Sequence, residues 1–221
     1  MLLSAEELTY TAHPDTGPLI VLDAISLDLA AGEIVDVRGA SGAGKTTLLR
    51  ALAWLLPHAS GMLSLSGRLA TEMEPTQWRR HVTLLPQVTS LFAGSVRDNL
   101  LIPWNLKVRA HDSVPSDSAL ARSMAEVGLA EVALDRDASQ LSVGQAARVA
   151  LLRVVLTGPE VLLLDEPDAN LDDDSAAQVA ALIERFASAG GAVLRVRHQR
   201  DDDSATRTLQ LQDGRLTEVG P

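Results

Sequence analysis

Apolar residues recur every second position early in the chain, at Leu8, Tyr10 and Ala12 and again at Ile25, Leu27 and Leu29, with a loop containing Pro14 and Pro18 between the two runs. Alternation of this kind marks half-buried strands, so two antiparallel strands are predicted. After the turn Ala31-Gly32-Glu33, residues 34–38 read as a core strand, although Asp36 and Arg38 interrupt it and must pair with each other or with neighbours. The period then changes: Leu48, Leu49, Leu52, Leu55 and Leu56 share one helical face, which predicts a helix over 45–56 ended by Pro57. Trp54 reads as packing. A short strand and turn over 61–69 and a strand over 81–85 follow.

From about residue 93 to 156 helical spacing replaces alternation, broken by the polar stretch 111–118, and this segment reads as a helical insertion. Val161 to Leu164 are four consecutive apolar residues, suited to a strand buried on both faces. A helix over 174–188 with Val179, Leu182, Ile183 and Phe186 inward, a last core strand over 192–196, and a hairpin around Asp213-Gly214 complete the chain. The predicted fold class is α/β. Residues 1–92 and 157–221 would form the α/β core with an antiparallel β part at its start, and 93–156 an inserted helical subdomain.

Composition narrows the function. The 221 residues carry a formal charge of −10 with no block of Lys or Arg, so no footprint on nucleic acid or an anionic membrane is indicated. There is no cysteine, which excludes disulfides, thiolate metal sites and thiol catalysis. The first residues lack a basic region followed by an apolar one, and no apolar run reaches the roughly 18–20 residues that span a bilayer. A membrane role would run through a partner.

The strongest chemical signal is Gly39-Ala40-Ser41-Gly42-Ala43-Gly44-Lys45-Thr46-Thr47, which fits G-x-x-x-x-G-K-[ST] directly after a strand and before a helix. Glycines let backbone N–H groups turn inward around an anion, and the helix start adds its positive dipole end. Lys45 would reach the β- and γ-phosphates, and the Thr46 hydroxyl would ligate Mg²⁺. The glycine order excludes the dinucleotide fingerprint G-x-G-x-x-G. Further on, the strand 161–164 runs into Asp165-Glu166-Pro167, the strand 81–85 stops at Pro86-Gln87, and the strand 192–196 runs into Arg197-His198. Phosphate loop, carboxylate pair and histidine at successive strand ends form a layout for nucleoside-triphosphate hydrolysis.

Leu141-Ser142-Val143-Gly144-Gln145 supplies the discriminating detail. With it the chain resembles the ATP-binding cassette (ABC) ATPase, a P-loop NTPase fold, over essentially its whole length: phosphate loop, Gln87, LSVGQ followed by Arg148 and Arg153, LLLDEP, Asn170-Leu171-Asp172 and His198 in register. The resemblance implies ATP and Mg²⁺ as ligands. Asp165 would hold the metal through water, Glu166 would orient the attacking water, His198 would contact the γ-phosphate, and Gln87 would touch both metal and water. Ser142, Gly144 and Gln145 would close over ATP held by a second copy, making ATP the glue of a head-to-tail homodimer. Asp172 would sit across that interface, while its local reading is a helix-start carboxylate. Val143 stands where such sequences most often have Gly. The aromatic that stacks on adenine falls near Ala12, leaving His13 as the substitute and GTP use open. The resemblance implies a cytoplasmic subunit, peripheral on the membrane through a separately encoded permease that contacts residues 91–100 and 102–104, with likeness to the iron-export type. The competing class is a soluble ABC ATPase acting on nucleic acid or ribosomes, which the acidity disfavours.

Overall fold

The computed structural model describes residues 1–13, 17–88, 90–169, 171–197 and 203–219. In chain order the elements are β1 (Leu3–Ala12), β2 (Leu19–Leu29), β3 (Ile34–Arg38), α1 (Lys45–Leu52), β4 (Ser60–Leu65), β5 (Arg68–Leu69), α2 (Pro75–His81), β6 (Val82–Leu85), α3 (Val96–Leu101), α4 (Asp117–Glu126), α5 (Val143–Val155), β7 (Val161–Asp165), α6 (Asp173–Ser188), β8 (Ala192–Val196), β9 (Arg207–Gln212) and β10 (Arg215–Val219).

These strands build two sheets. An antiparallel sheet has the order β2-β1-β4-β5, and a six-stranded sheet has the order β10-β9-β3-β8-β7-β6. In the second, β6, β7, β8, β3 and β9 pair in parallel and only β10 runs antiparallel, as the hairpin predicted around Asp213-Gly214. The run 161–164 is fully buried, and its residues alternate between two cores. Val161 and Leu163 join Val35, Val37, Leu194 and Val196 against α1 and the antiparallel sheet. Leu162 and Leu164 join Val193, Val149, Leu182 and Ile183 on the face covered by α5 and α6. A strand hydrophobic on both faces is what a parallel sheet between two layers requires.

Two local expectations change and a third is resolved. The helix after the phosphate loop ends at Leu52, four residues before Leu56. Trp54 adopts φ 53° and packs edge-on against Trp78, ring centroids 6.4 Å apart, which turns the chain before Pro57. The buried Trp78 indole then donates to the Leu52 carbonyl at 2.9 Å, satisfying one of the carbonyls a helix end leaves over. The first strand begins at Leu3, and a bulge at Glu7 (φ 52°) separates buried Ala5 from buried Leu8, resetting the alternation by one residue. Asp36 is partnered from β8: its register mate is Arg195, whose Nε donates to Asp36 Oδ1, both side chains being almost wholly buried.

Candidate functional site

Parallel pairing sets the carboxyl ends of β3, β7 and β6 along one edge, the place where open α/β sheets carry their chemistry. The phosphate loop leaves β3 there and enters α1 through Gly44, whose φ of 98° suits glycine. A Cβ on Gly44 would also lie 2.9 Å from Val21 Cγ1, and one on Gly39 2.4 Å from the Leu211 carbonyl oxygen, so both flanks of the loop are walled by other strands.

Lys45 is buried, and its ammonium folds back over the loop to donate to the carbonyls of Gly39 at 2.8 Å and Ala40 at 2.9 Å. Its neighbour Thr46 donates its hydroxyl to Asp165 Oδ2 at 2.7 Å, joining residues 119 positions apart. One residue on, Glu166 takes φ 51°, an uncommon conformation for a residue with a side chain, and its N–H donates to the Val196 carbonyl at 3.1 Å. The turn of the backbone separates the two adjacent carboxylates: Asp165 meets Thr46, whereas Glu166 Oε2 accepts from Gln87 Nε2 at 2.7 Å. Ser41, Gly42, Gly44, Lys45, Thr46, Thr47, Gln87 and Glu166 thus line one open cleft of about 470 Å³, together with Val21.

Ser142, Gly144, Gln145 and Asp172 gather at a second place, where the starts of α5 and α6 meet. Ser142 caps α5 in a reciprocal box, its Oγ accepting from the Gln145 N–H at 3.2 Å while Gln145 Oε1 accepts from the Ser142 N–H at 3.0 Å. Asp172 caps α6 by accepting from the Ser175 N–H at 2.8 Å and the Ser175 hydroxyl at 3.1 Å, which realises its local reading. Those donors, with the nearby Arg148 charge, hold the Asp172 carboxyl below its ordinary value. Gly144 abuts this cap so closely that a Cβ would stand 2.3 Å from Ser175 Oγ. Buried Arg148 fixes the arrangement from behind, donating to the carbonyls of Gly144 at 3.0 Å and Val127 at 3.1 Å and to Gln178 Oε1. Val143, at the first turn of α5, is 69 % exposed and intrudes on neither cap.

His13 is exposed just beyond β1, outside the lining of the cleft, and Tyr10 packs against the core. His198 and Asn170 lie outside the described residues. Sequence reasoning missed Val21, Ser175 and Gln178, because each acts by packing against a motif from a distant strand or helix and none has a local signature. Among the described residues no group of three His, Cys, Asp or Glu is arranged to hold a metal unaided, and no helix is long and apolar enough to cross a membrane. The hydroxyl and carboxylate oxygens of Thr46 and Asp165 are hard donors, few enough to leave coordination places for phosphate and water, and so fit Mg²⁺ bound together with a nucleotide.

Comparison with known proteins points the same way. Residues 22–169 match the family model described as ABC transporter. The chain is 32 % identical to the probable iron export ATP-binding protein FetA of Escherichia coli (strain K12), covering 96 % of this chain and 91 % of that one. It is 37 % identical to the hemin import ATP-binding protein HmuV of Nocardia farcinica, covering 99 % and 77 %. Its fold superposes with a TM-score of 0.80, at 20 % identity and over the whole of both chains, on a dimeric structure of the ATP-binding cassette MJ0796 in a post-hydrolysis state bound to ADP and Pi.

Proposed function

Because the chain belongs to the ABC transporter family as an ATP-binding subunit, we propose that it binds ATP in the cleft at Lys45, dimerises on it, hydrolyses it, and so drives a separately encoded permease at the cytoplasmic face of a membrane. The observation that carries this reading is the 2.7 Å contact between Thr46 and Asp165, which unites the loop hydroxyl and the strand-end carboxylate beside Lys45.

In this reading the backbone N–H groups of residues 39–47 cradle the phosphates, and the Lys45 ammonium moves from its two carbonyl partners to the β- and γ-phosphate oxygens. Thr46 and Asp165 would hold Mg²⁺, which supplies neutralisation of phosphate charge. Glu166 orients and polarises the attacking water, its carboxylate held in place by the Gln87 amide. His198 contributes a contact to the γ-phosphate. Residues 93–156 serve as a helical subdomain whose capped turn at Ser142 and Gly144, backed by Asp172, presents N–H groups to the triphosphate of a second copy. Residues 91–100 and 102–104 form the permease-facing side. FetA, a probable iron export protein, matches over nearly all of both chains, which makes metal export the cargo class to test first.

The test uses two variants. Glu166→Gln is expected to keep ATP binding and to accumulate as an ATP-dependent dimer in size-exclusion chromatography. Lys45→Ala is expected to lose nucleotide binding in a titration. A Glu166→Gln chain that turns ATP over at the normal rate, or unchanged ATP affinity in Lys45→Ala, overturns the assignment.

A further inference from the structure

The connection that leaves β7 carries Glu166 at its start and the α6 cap, Asp172, at its end, and a buried ion pair fastens it in between. Arg197 Nη2 donates to Asp168 Oδ2 at 2.6 Å, and both residues are buried. A buried ion pair adds little net stability, because taking both charges out of water offsets most of their attraction. Its effect lies in where it holds the chain.

Backbone bonds show what is held. The Glu166 N–H donates to the Val196 carbonyl at 3.1 Å, the Arg197 N–H to the Val37 carbonyl at 3.2 Å, and the Ala169 N–H to the Glu166 carbonyl at 3.2 Å. Arg197 is therefore anchored to the end of β3, just before the phosphate loop, while its side chain reaches across to the turn that follows β7. The contacts close a ring: from Glu166 across to Val196, along the chain to Arg197, through its guanidinium to Asp168, and back along the chain to Glu166. Within that ring Glu166 holds φ 51°. A residue with a side chain keeps so uncommon a conformation only where its surroundings over-determine it, and the ion pair is the side-chain part of that constraint.

We propose that Asp168 and Arg197 are positioning residues for hydrolysis: their ion pair keeps the Glu166 backbone in its left-handed turn, so that the Glu166 carboxylate meets Gln87 and the attacking water while Asp165 stays on Thr46. This rests on the role given to Glu166 above and adds what sets its aim. Neither Asp168 nor Arg197 lines the cleft at Lys45, so the pair acts through Glu166 and not by contact with nucleotide. Without the pair the turn relaxes and swings the carboxylate, whereas the phosphate loop keeps its own fastenings. A displacement of about 1 Å at a reacting group costs on the order of 100-fold in rate.

The experiment measures steady-state ATP hydrolysis, ATP affinity by titration and urea unfolding on the full chain. Asp168→Leu and Arg197→Leu each strand one charge in the interior and are expected to lower kcat about tenfold or more, with ATP affinity unchanged and an ATP-dependent dimer accumulating as for Glu166→Gln. The double leucine variant leaves no buried charge, so it is expected to regain the urea midpoint of the unaltered chain while kcat stays low. Arg197→Lys, which keeps the charge, is expected to retain more of kcat than Arg197→Leu. Should the leucine variants fail to fold, Asp168→Asn combined with Arg197→Gln makes the same comparison. A stable double variant with normal kcat, or a loss of ATP affinity in step with kcat, overturns the positioning role and leaves the ATPase reading standing. Normal turnover by Glu166→Gln overturns the Glu166 assignment itself, and the role of the pair falls with it.

Discussion

Gly144 and Ser175 stand so close that a single methyl group on the glycine would lie 2.3 Å from the serine hydroxyl oxygen. The start of α5 therefore rests directly on the first turn of α6, and the two caps behave as one block.

This contact predicts a suppressor. Gly144→Ala is expected to cost about 1–3 kcal/mol of stability, as small-to-large changes in packed sites do, and to lower ATP hydrolysis by displacing the Ser142 turn. Ser175→Gly opens the space, so the double variant is expected to recover most of the ATPase rate although glycine weakens α6 by up to about 1 kcal/mol. Steady-state hydrolysis and urea unfolding of the two single variants and the double variant check this; a double variant as inactive as Gly144→Ala would disprove the packing explanation.

The Asp36–Arg195 pair predicts a stability effect without a binding signature. Arg195→Leu removes the guanidinium from the middle of the parallel sheet and is expected to cost about 3–5 kcal/mol, the range for breaking a buried ion pair from one side. Replacing both partners by leucine is expected to restore much of that loss, because neither charge then needs solvating. Denaturant unfolding of the single and double variants decides it, and additive losses would contradict the pairing.

Acid sensitivity follows from depressed carboxyls. Asp98, Asp112, Asp137 and Asp172 are all held below the ordinary value of 3.8, chiefly by hydrogen bonds from Ser95, Arg80, Ser139 and Ser175. A group depressed on folding contributes stability that is fully present above its unfolded pKa and is lost as pH falls through the folded value. Melting midpoints are therefore expected to be nearly level above about pH 5 and to drop below 3.8. Asp172→Asn keeps the α6 cap but cannot ionise, so its melting curve is expected to show a shallower acid slope; an unchanged slope would remove Asp172 from the effect.

Local chemistry makes the phosphate loop, Asp165, Glu166 and Gln87 legible in the sequence, since glycine spacing and strand ends report on a few adjacent residues. What escaped was set across the chain. The helix end at Leu52 depends on Trp54 meeting Trp78, 24 positions away, and α2 itself is a seven-residue turn with one buried side chain, too short for a period to show. The early strand and its antiparallel partner are legible, but its start at Leu3 is not, because the Glu7 bulge breaks the alternation on which strand reading relies. Asp36 was recognisable as anomalous, but its partner lies 159 residues on and no local pattern names it. Arg148 was visible beside LSVGQ, whereas its grip on Gln178 required the α5–α6 crossing.

Sheet order carries one more consequence, for biosynthesis. The strand that feeds the phosphate loop, β3, is bordered on one side by β8 and on the other by β9, so residues 34–38 find their neighbours only among residues 192–212. While the ribosome is still making the second half, the loop has no flanking strands to hold its curvature. Nascent chains released before β9 is translated are thus expected to be clients of chaperones and not partial ATPases, with nucleotide competence arriving all at once when β9 has emerged.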